Sequence, residues 1–387
     1  MATISLPRET YFTSIKLLSL GKVVRCVKNA VNGQLQQKTK LNFKPNRMKS
    51  MLILGSLFVL LLFVILLAVS VGPVTVPFKH TLAVIWDAAA NSMGQQQYSE
   101  RDAVVVLNIR LPRVLVGALV GAALGISGAI MQGLFRNPLV EPGFIGVSSG
   151  AAVGAVLAIF FGWTQLSKWM LPGSAFAGAL IAILVILTIW QASRKSSVST
   201  LLLIGLGMNL FLSAIISVFV ASAPNEQDLR GIVFWLQGGL EARTWEHVQL
   251  ILPFIVVSVI IASFFARELN MMLLGDDQAK SSGVPVNQTR FILLGLAALM
   301  TGTGVAVSGT IGFVGLVVPH VIRLLCGPDH RILLPASALG GASFLVLADI
   351  VSRMMLHPIT LQVGVVCALI GAPVFWLLIL RTRRESI

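Results

Sequence analysis

The sequence predicts an all-α, polytopic membrane protein of about ten transmembrane helices with an inverted internal repeat. Of its 387 residues, 56% are hydrophobic and only 11% charged, whereas a soluble domain carries about a quarter charged residues. Residues 51–72 (MLILGSLFVLLLFVILLAVSVG) hold no charge. At about 1.5 Å per residue such a helix crosses roughly 30 Å of hydrocarbon. The third observation is recurrence, because runs of this kind return along the whole chain and mean hydropathy is +0.88.

Taken in order, the apolar segments are 51–72, 114–134, 144–162, 172–191, 199–221, 247–265, 291–308, 310–325, 333–352 and 362–380. The seventh and eighth are divided only around Ser308-Gly309. Gly117, Gly121 and Gly125 repeat every four residues on the second segment, the stripe that lets helix backbones approach closely in lipid. Ser127-Gly128-Ala129-Ile130 returns as Ser308-Gly309-Thr310-Ile311, and at the same offset Pro138 matches Pro319 and Val140 matches Val321. Five segments separate the two copies, so they run in opposite directions, which is the mark of an inverted repeat.

The net charge of +14 does not point to nucleic acid, because residues 1–50 alone hold ten Lys/Arg and one Glu. This basic tail reads equally as a disordered arm or as an amphipathic helix on an anionic membrane surface, with Leu17, Leu20, Val24, Val27 and Val31 on one face. A third reading starts synthesis at Met48. The permease-like domain then runs over 51–387. With the amino terminus inside, cytoplasmic segments hold 21 Lys/Arg and outer segments 8, so both termini are expected in the cytoplasm of the inner or only cell membrane.

Two enzyme signatures are missing. There is no G-x-x-x-x-G-K-[ST] phosphate loop and no zinc-binding His/Glu cluster. Cys26, Cys326 and Cys367 follow no metal-ligand spacing. No cofactor is expected on this chain.

Residues 110–150 read RLPRVLVGALVGAALGISGAIMQGLFRNPLVEPGFIGVSSG. Further on come FWLQGGL (234–240), LLGDDQAKSSGVPV (273–286), SGTIGFVGLVVPHVIRLL (308–325) and LIGAPVFWLLIL (369–380). Over roughly residues 51–384 this series resembles the FecCD, or BtuC-like, permeases of iron-siderophore, haem and cobalamin importers. The resemblance implies a ten-helix fold, a homodimer around a central path, two ATPase subunits holding ATP and Mg, and an extracytoplasmic binding protein. It favours a ferric siderophore as cargo, with haem or cobalamin as alternatives.

It also assigns roles. Arg110, Arg113 and Arg353 resemble a landing pad for carboxylates of the binding protein, for which the planar guanidinium fork is suited; snorkelling to the headgroups is the alternative. Asp349 stands one helical turn before Arg353 and competes for it. Residues 266–290 resemble the loop of two short helices that couples to the ATPase, with Leu273, Leu274, Gly275, Asp276 and Asp277 at the contact and four consecutive apolar side chains (271–274) exposed to the partner. Met208 and Asn209 on the fifth segment resemble path-lining residues, with Ser199 and Thr200 near its cytoplasmic gate. RNPLVEP (136–142) reads as a structural hairpin and His320 as a packing residue. A lone ion-coupled secondary transporter, the reading from another class, requires acidic or histidine residues at mid-membrane, where this chain is nearly free of them.

Overall fold

The computed structural model describes residues 47–90, 98–193, 198–356 and 359–384. The readings made for the tail up to residue 46, and for Arg194 and Lys195, lie outside the described residues.

The first uncharged run forms α1 (Arg47–Ser70). It is apolar all round, so Val64, Ala68 and Val69 pack inward while Phe58, Val59 and Phe63 stay exposed. Such a surface is suited to hydrocarbon rather than water. Then come α2 (Phe78–Ala90) and a 36-residue helix, α3 (Glu100–Phe135), which contains a π-helical turn over Val105–Arg110. Helix α3 stops at Arg136, whose φ of +50° closes the last turn. Pro138 then prevents resumption.

The remaining helices are α4 (Val147–Phe160), α5 (Met170–Ala192), α6 (Val198–Ala221), α7 (Glu226–Gln237), α8 (Trp245–Phe264), α9 (Ala266–Leu273), α10 (Asp276–Ser281), α11 (Val286–Ser308), α12 (Val314–Cys326), α13 (His330–Met354) and α14 (Val363–Arg384). Among the described residues seven helices, α1, α3, α5, α6, α8, α11 and α13, are long and apolar enough to cross a membrane. Helices α4, α12 and the Val363–Leu377 part of α14 are shorter apolar helices. Together they occupy the ten apolar segments in order, and α11 ends at Ser308 as read. Helices α2 and α7 had not been foreseen.

The inverted repeat pairs α3–α6 with α11–α14. In each half the second helix is short, 14 residues in α4 and 13 in α12. The first helix of each half packs against the third of the other, α3 on α13 and α11 on α5. Helix α3 ends, and α11 begins, beside the same side chain, Asp276, so the two run in opposite directions. The sequence echo does not give the register of this repeat. Ser127 lies inside α3 and Ser308 ends α11; Pro138 lies in a connection and Pro319 inside α12.

Small residues set the central contacts. A Cβ on Gly121 would stand 2.3 Å from the Gly341 carbonyl oxygen, and one on Gly128 would stand 1.9 Å from that of Gly315. Helices α3, α12 and α13 therefore touch backbone to backbone, and around them Ile126, Ile130, Met131 and Leu134 are fully buried.

Candidate functional site: the two ends of the bundle and the cavity between them

At the end where α3 begins, three arginines meet two carboxylates. Arg110 is only 4% exposed. Its Nη1 donates to the carbonyls of Val69 (2.8 Å) and Ser70 (2.7 Å), and its Nη2 to that of Val74. Arg353, also buried, donates to the carbonyls of Val71 (3.2 Å) and Ala68 (3.1 Å). Both guanidinium groups thus satisfy the last turn of α1, where carbonyls lack intrahelical partners and positive charge is favoured.

Arg113 donates through Nε and Nη2 to Asp349 Oδ1, at 2.9 and 2.7 Å, and lies 3.7 Å from Glu241. Asp349 also holds Arg353 at 3.1 Å, the i,i+4 pair expected from their spacing. Beside them, burial pulls the Arg243 pKa down, which Glu241 opposes and Arg113 reinforces. The three arginines that resemble a landing pad do not share one environment. Arg110 and Arg353 face α1, and Arg113 alone among the three keeps 13% side-chain exposure. The reason is the frayed carbonyl end of α1, which sequence spacing does not reveal.

At the opposite end α9 and α10 form the foreseen pair of short helices. Gly275 joins them with φ +117°, a conformation that favours glycine. Asp276 accepts from Arg136 Nη2 at 3.0 Å through Oδ1 and from Arg290 Nη2 at 2.9 Å through Oδ2. Burial acts to raise the Asp276 pKa, but the hydrogen bond from Arg290 and the charges of Arg290, Arg136 and Lys280 together hold it below the ordinary carboxylate value. One carboxylate thus ties the short-helix pair to the end of α3 and the start of α11. Asn270 on α9 adds a third tie, donating to Asp329 Oδ1 at 2.6 Å and accepting from the His330 backbone N–H at 2.9 Å at the start of α13.

The apolar run 271–274 is not exposed as a block. Met272 is buried with Leu269 one turn earlier, Met271 and Leu273 are half-buried, and Leu274 and Asp277 face out. Helix α9 is amphipathic, so its apolar face turns inward at i,i+3 spacing.

Along α6 the four expected path residues separate. Ser199 is exposed and Thr200 half-buried in its first turn. Ten residues on, about 15 Å along the axis, Asn209 accepts from Ser149 Oγ at 2.7 Å and donates to the carbonyls of Gly143 (3.0 Å) and Phe144 (3.2 Å). Its amide therefore locks the Pro142–Ile145 turn to the start of α4. Met208 packs beside Gly146. Next to Asn209 lies a cavity of about 500 Å³, whose polar lining includes Glu141, Ser148, Ser149, Ser213 and Thr301. Among the described residues, no cluster of three or more His, Cys, Asp or Glu side chains suits a metal ion.

The profile of the FecCD transport family matches residues 60–381. The chain belongs to the FecCD transport family. It is 44% identical over 350 residues to an uncharacterized ABC transporter permease protein, YvrB, of Bacillus subtilis (strain 168), covering 89% of this chain and 97% of that one. It is 43% identical to the cobalamin import system permease protein BtuC of Halobacterium salinarum, covering 82% and 86%. With the vitamin B12 import system permease protein BtuC of Escherichia coli O9:H4 it shares 45% identity, covering 74% and 87%. A solved transporter described as metal-chelate type, in an inward-facing conformation, superposes with a TM-score of 0.75 at 32% identity, over 85% of this chain and 99% of that one.

This FecCD protein is therefore a multi-pass ABC importer permease, a transport subunit. Its sequence had drawn attention to Asp276 but not to the partners that fix it, Arg136 and Arg290. Glu241 and Arg243 were likewise missed, since nothing in FWLQGGLEAR sets them apart from loop residues. Glu141 did carry a signal, as a lone carboxylate between Val140 and Pro142 in a chain with few acids.

Proposed function

We propose that this permease pairs with a second copy and lines the path of an ATP-driven importer for a bulky metal chelate, with a cobalamin-type corrinoid as first cargo. The BtuC relatives support that cargo over the ferric siderophore favoured by sequence resemblance. The likeness to a metal-chelate type transporter keeps the siderophore as a second reading. Two ATPase subunits, carrying ATP and Mg, engage the short-helix end at Leu273, Leu274, Gly275, Asp276 and Asp277. An extracytoplasmic binding protein docks at the opposite end. There Arg113 meets partner carboxylates, and Arg110 and Arg353 act as the buttress that fixes α1, α3 and α13. Both termini lie in the cytoplasm, and Ser199 and Thr200 stand at the inner gate.

The observation that carries the coupling is the Asp276 junction. A push on α9 and α10 reaches the first helix of both repeats through two short ion pairs, so one contact can tilt the halves against each other. Competing uptake of labelled cyanocobalamin and a labelled ferric siderophore, in cells with and without this chain, tests the cargo. Chain-dependent cyanocobalamin uptake is expected. Siderophore uptake alone would replace the corrinoid reading.

A further inference from the structure

We propose that Glu141 and Thr301 form a hydrogen-bond-accepting subsite in the cavity beside α6, which receives amide N–H or hydroxyl donors of the cargo as it passes. This rests on the transport reading and names the chemistry of one station along it.

Three observations converge. Among the described residues, Glu141 is the one charged side chain lining the cavity. Its carboxylate is held at the start of α12, where Oε2 accepts from the Phe313 backbone N–H at a long 3.3 Å. Among the described residues no other hydrogen bond reaches that side chain, so it keeps accepting capacity toward the cavity. Burial pushes the Glu141 carboxyl up to about 6, against the lowering effect of the Phe313 bond. Thr301 on α11 also lines the cavity. It is 1% exposed, and its Oγ1 has no hydrogen-bond partner among the described residues. Many helical hydroxyls here turn back on their own backbone, as Ser308 does to the Gly304 carbonyl at 2.9 Å; Ser258, Thr303 and Ser337 are left open like Thr301, but among the described residues Thr301 is the one of these four that lines this cavity. A buried hydroxyl left open is costly unless something pairs with it.

The rest of the wall fits a donor-bearing visitor. Ser148 and Ser213 add hydroxyl oxygens, and the Thr310 hydroxyl donates to the Leu236 carbonyl, which leaves its own lone pairs to accept. The volume admits a side-chain-sized polar group rather than one ion. An amide or hydroxyl presents donors without bringing a charge into the bundle, so contact there is reversible, as a path requires.

The test uses the complete importer in cells, with Glu141→Leu, Thr301→Val and Thr301→Ser, and two probes: cyanocobalamin, rich in amides, and a ferric trihydroxamate chelate. Initial uptake of the amide-bearing probe should fall about tenfold in the Leu and Val variants at equal membrane abundance, and Thr301→Ser should restore it. A second readout is independent of transport. A hydrophobic carbodiimide should label Glu141 in the purified permease, cyanocobalamin should slow that labelling, and Thr301→Val should remove the protection. Both probes slowed in uptake would support a subsite that takes hydrogen-bond donors from either chelate. Normal uptake in all variants, with the wild type active, overturns the subsite alone. If the wild type moves neither probe, the cargo reading fails, and labelling decides the subsite: protection by either probe or by propionamide supports it, and no protection overturns it.

Discussion

Arg110 and Arg113 stand three residues apart and do different work. Arg110→Ala strips donors from the carbonyls of Val69 and Ser70 at the end of α1 and of Val74 just beyond it, and hydrogen bonds from a charged group are worth about 1.5–3 kcal/mol each. Its expected effect is a lower melting temperature of the detergent-purified chain. Arg113→Glu instead sets a third carboxylate against Asp349 and Glu241 on a partly exposed face. Weaker binding-protein capture is expected, most clearly at low salt, since exposed ionic contacts are screened. Capture measured in reconstituted membranes at two salt concentrations checks this; equal affinity for wild type and variant would remove Arg113 from the docking face. Asp276 is a linkage case. Its folded pKa lies below the ordinary 3.8, so the stability it contributes is present above the unfolded value and is lost as pH falls through the folded one. The melting difference between wild type and Asp276→Asn should therefore stay constant near neutral pH and vanish in acid, while Asp276→Asn uncouples uptake from hydrolysis at pH 7.

Helix contacts scale with the smallest side chain between them. Gly128→Leu would drive a Cβ into the Gly315 carbonyl, 1.9 Å away, so α3 and α12 must part. A loss of at least about 3 kcal/mol is expected, seen as lower membrane yield and melting temperature. Gly295→Ala in α11 meets nothing within 4 Å and should be neutral or slightly stabilising. The long helices were legible because a lipid-facing helix must be apolar along its whole length. Helices α2 and α7 were not, since α7 is amphipathic and starts on a polar cap, with Asn225 accepting from the Asp228 N–H at 2.8 Å. The loop glycine and Asp276 were legible through resemblance. The inward turn of Met272, the burial of Arg110 and Arg353, and the repeat register depend on which helix packs where, and local spacing carries none of that.

For the whole molecule, the reciprocal packing of α3 on α13 and α11 on α5 joins two halves, which meet backbone to backbone at Gly121 with Gly341 and at Gly128 with Gly315. In the importer proposed above, the Asp276 junction is the one place where an ATPase would move both. The chain has no phosphate loop, so the purified permease alone should hydrolyse no ATP above background, and an assembled complex should. Accumulation of labelled cyanocobalamin in vesicles holding the complete importer, with ATP inside and the ion gradients collapsed, tests the importer reading most directly. Uptake that requires ATP and survives loss of the gradients is the expected result; uptake that continues without ATP and stops when a protonophore is added would contradict it and make the chain an ion-coupled transporter.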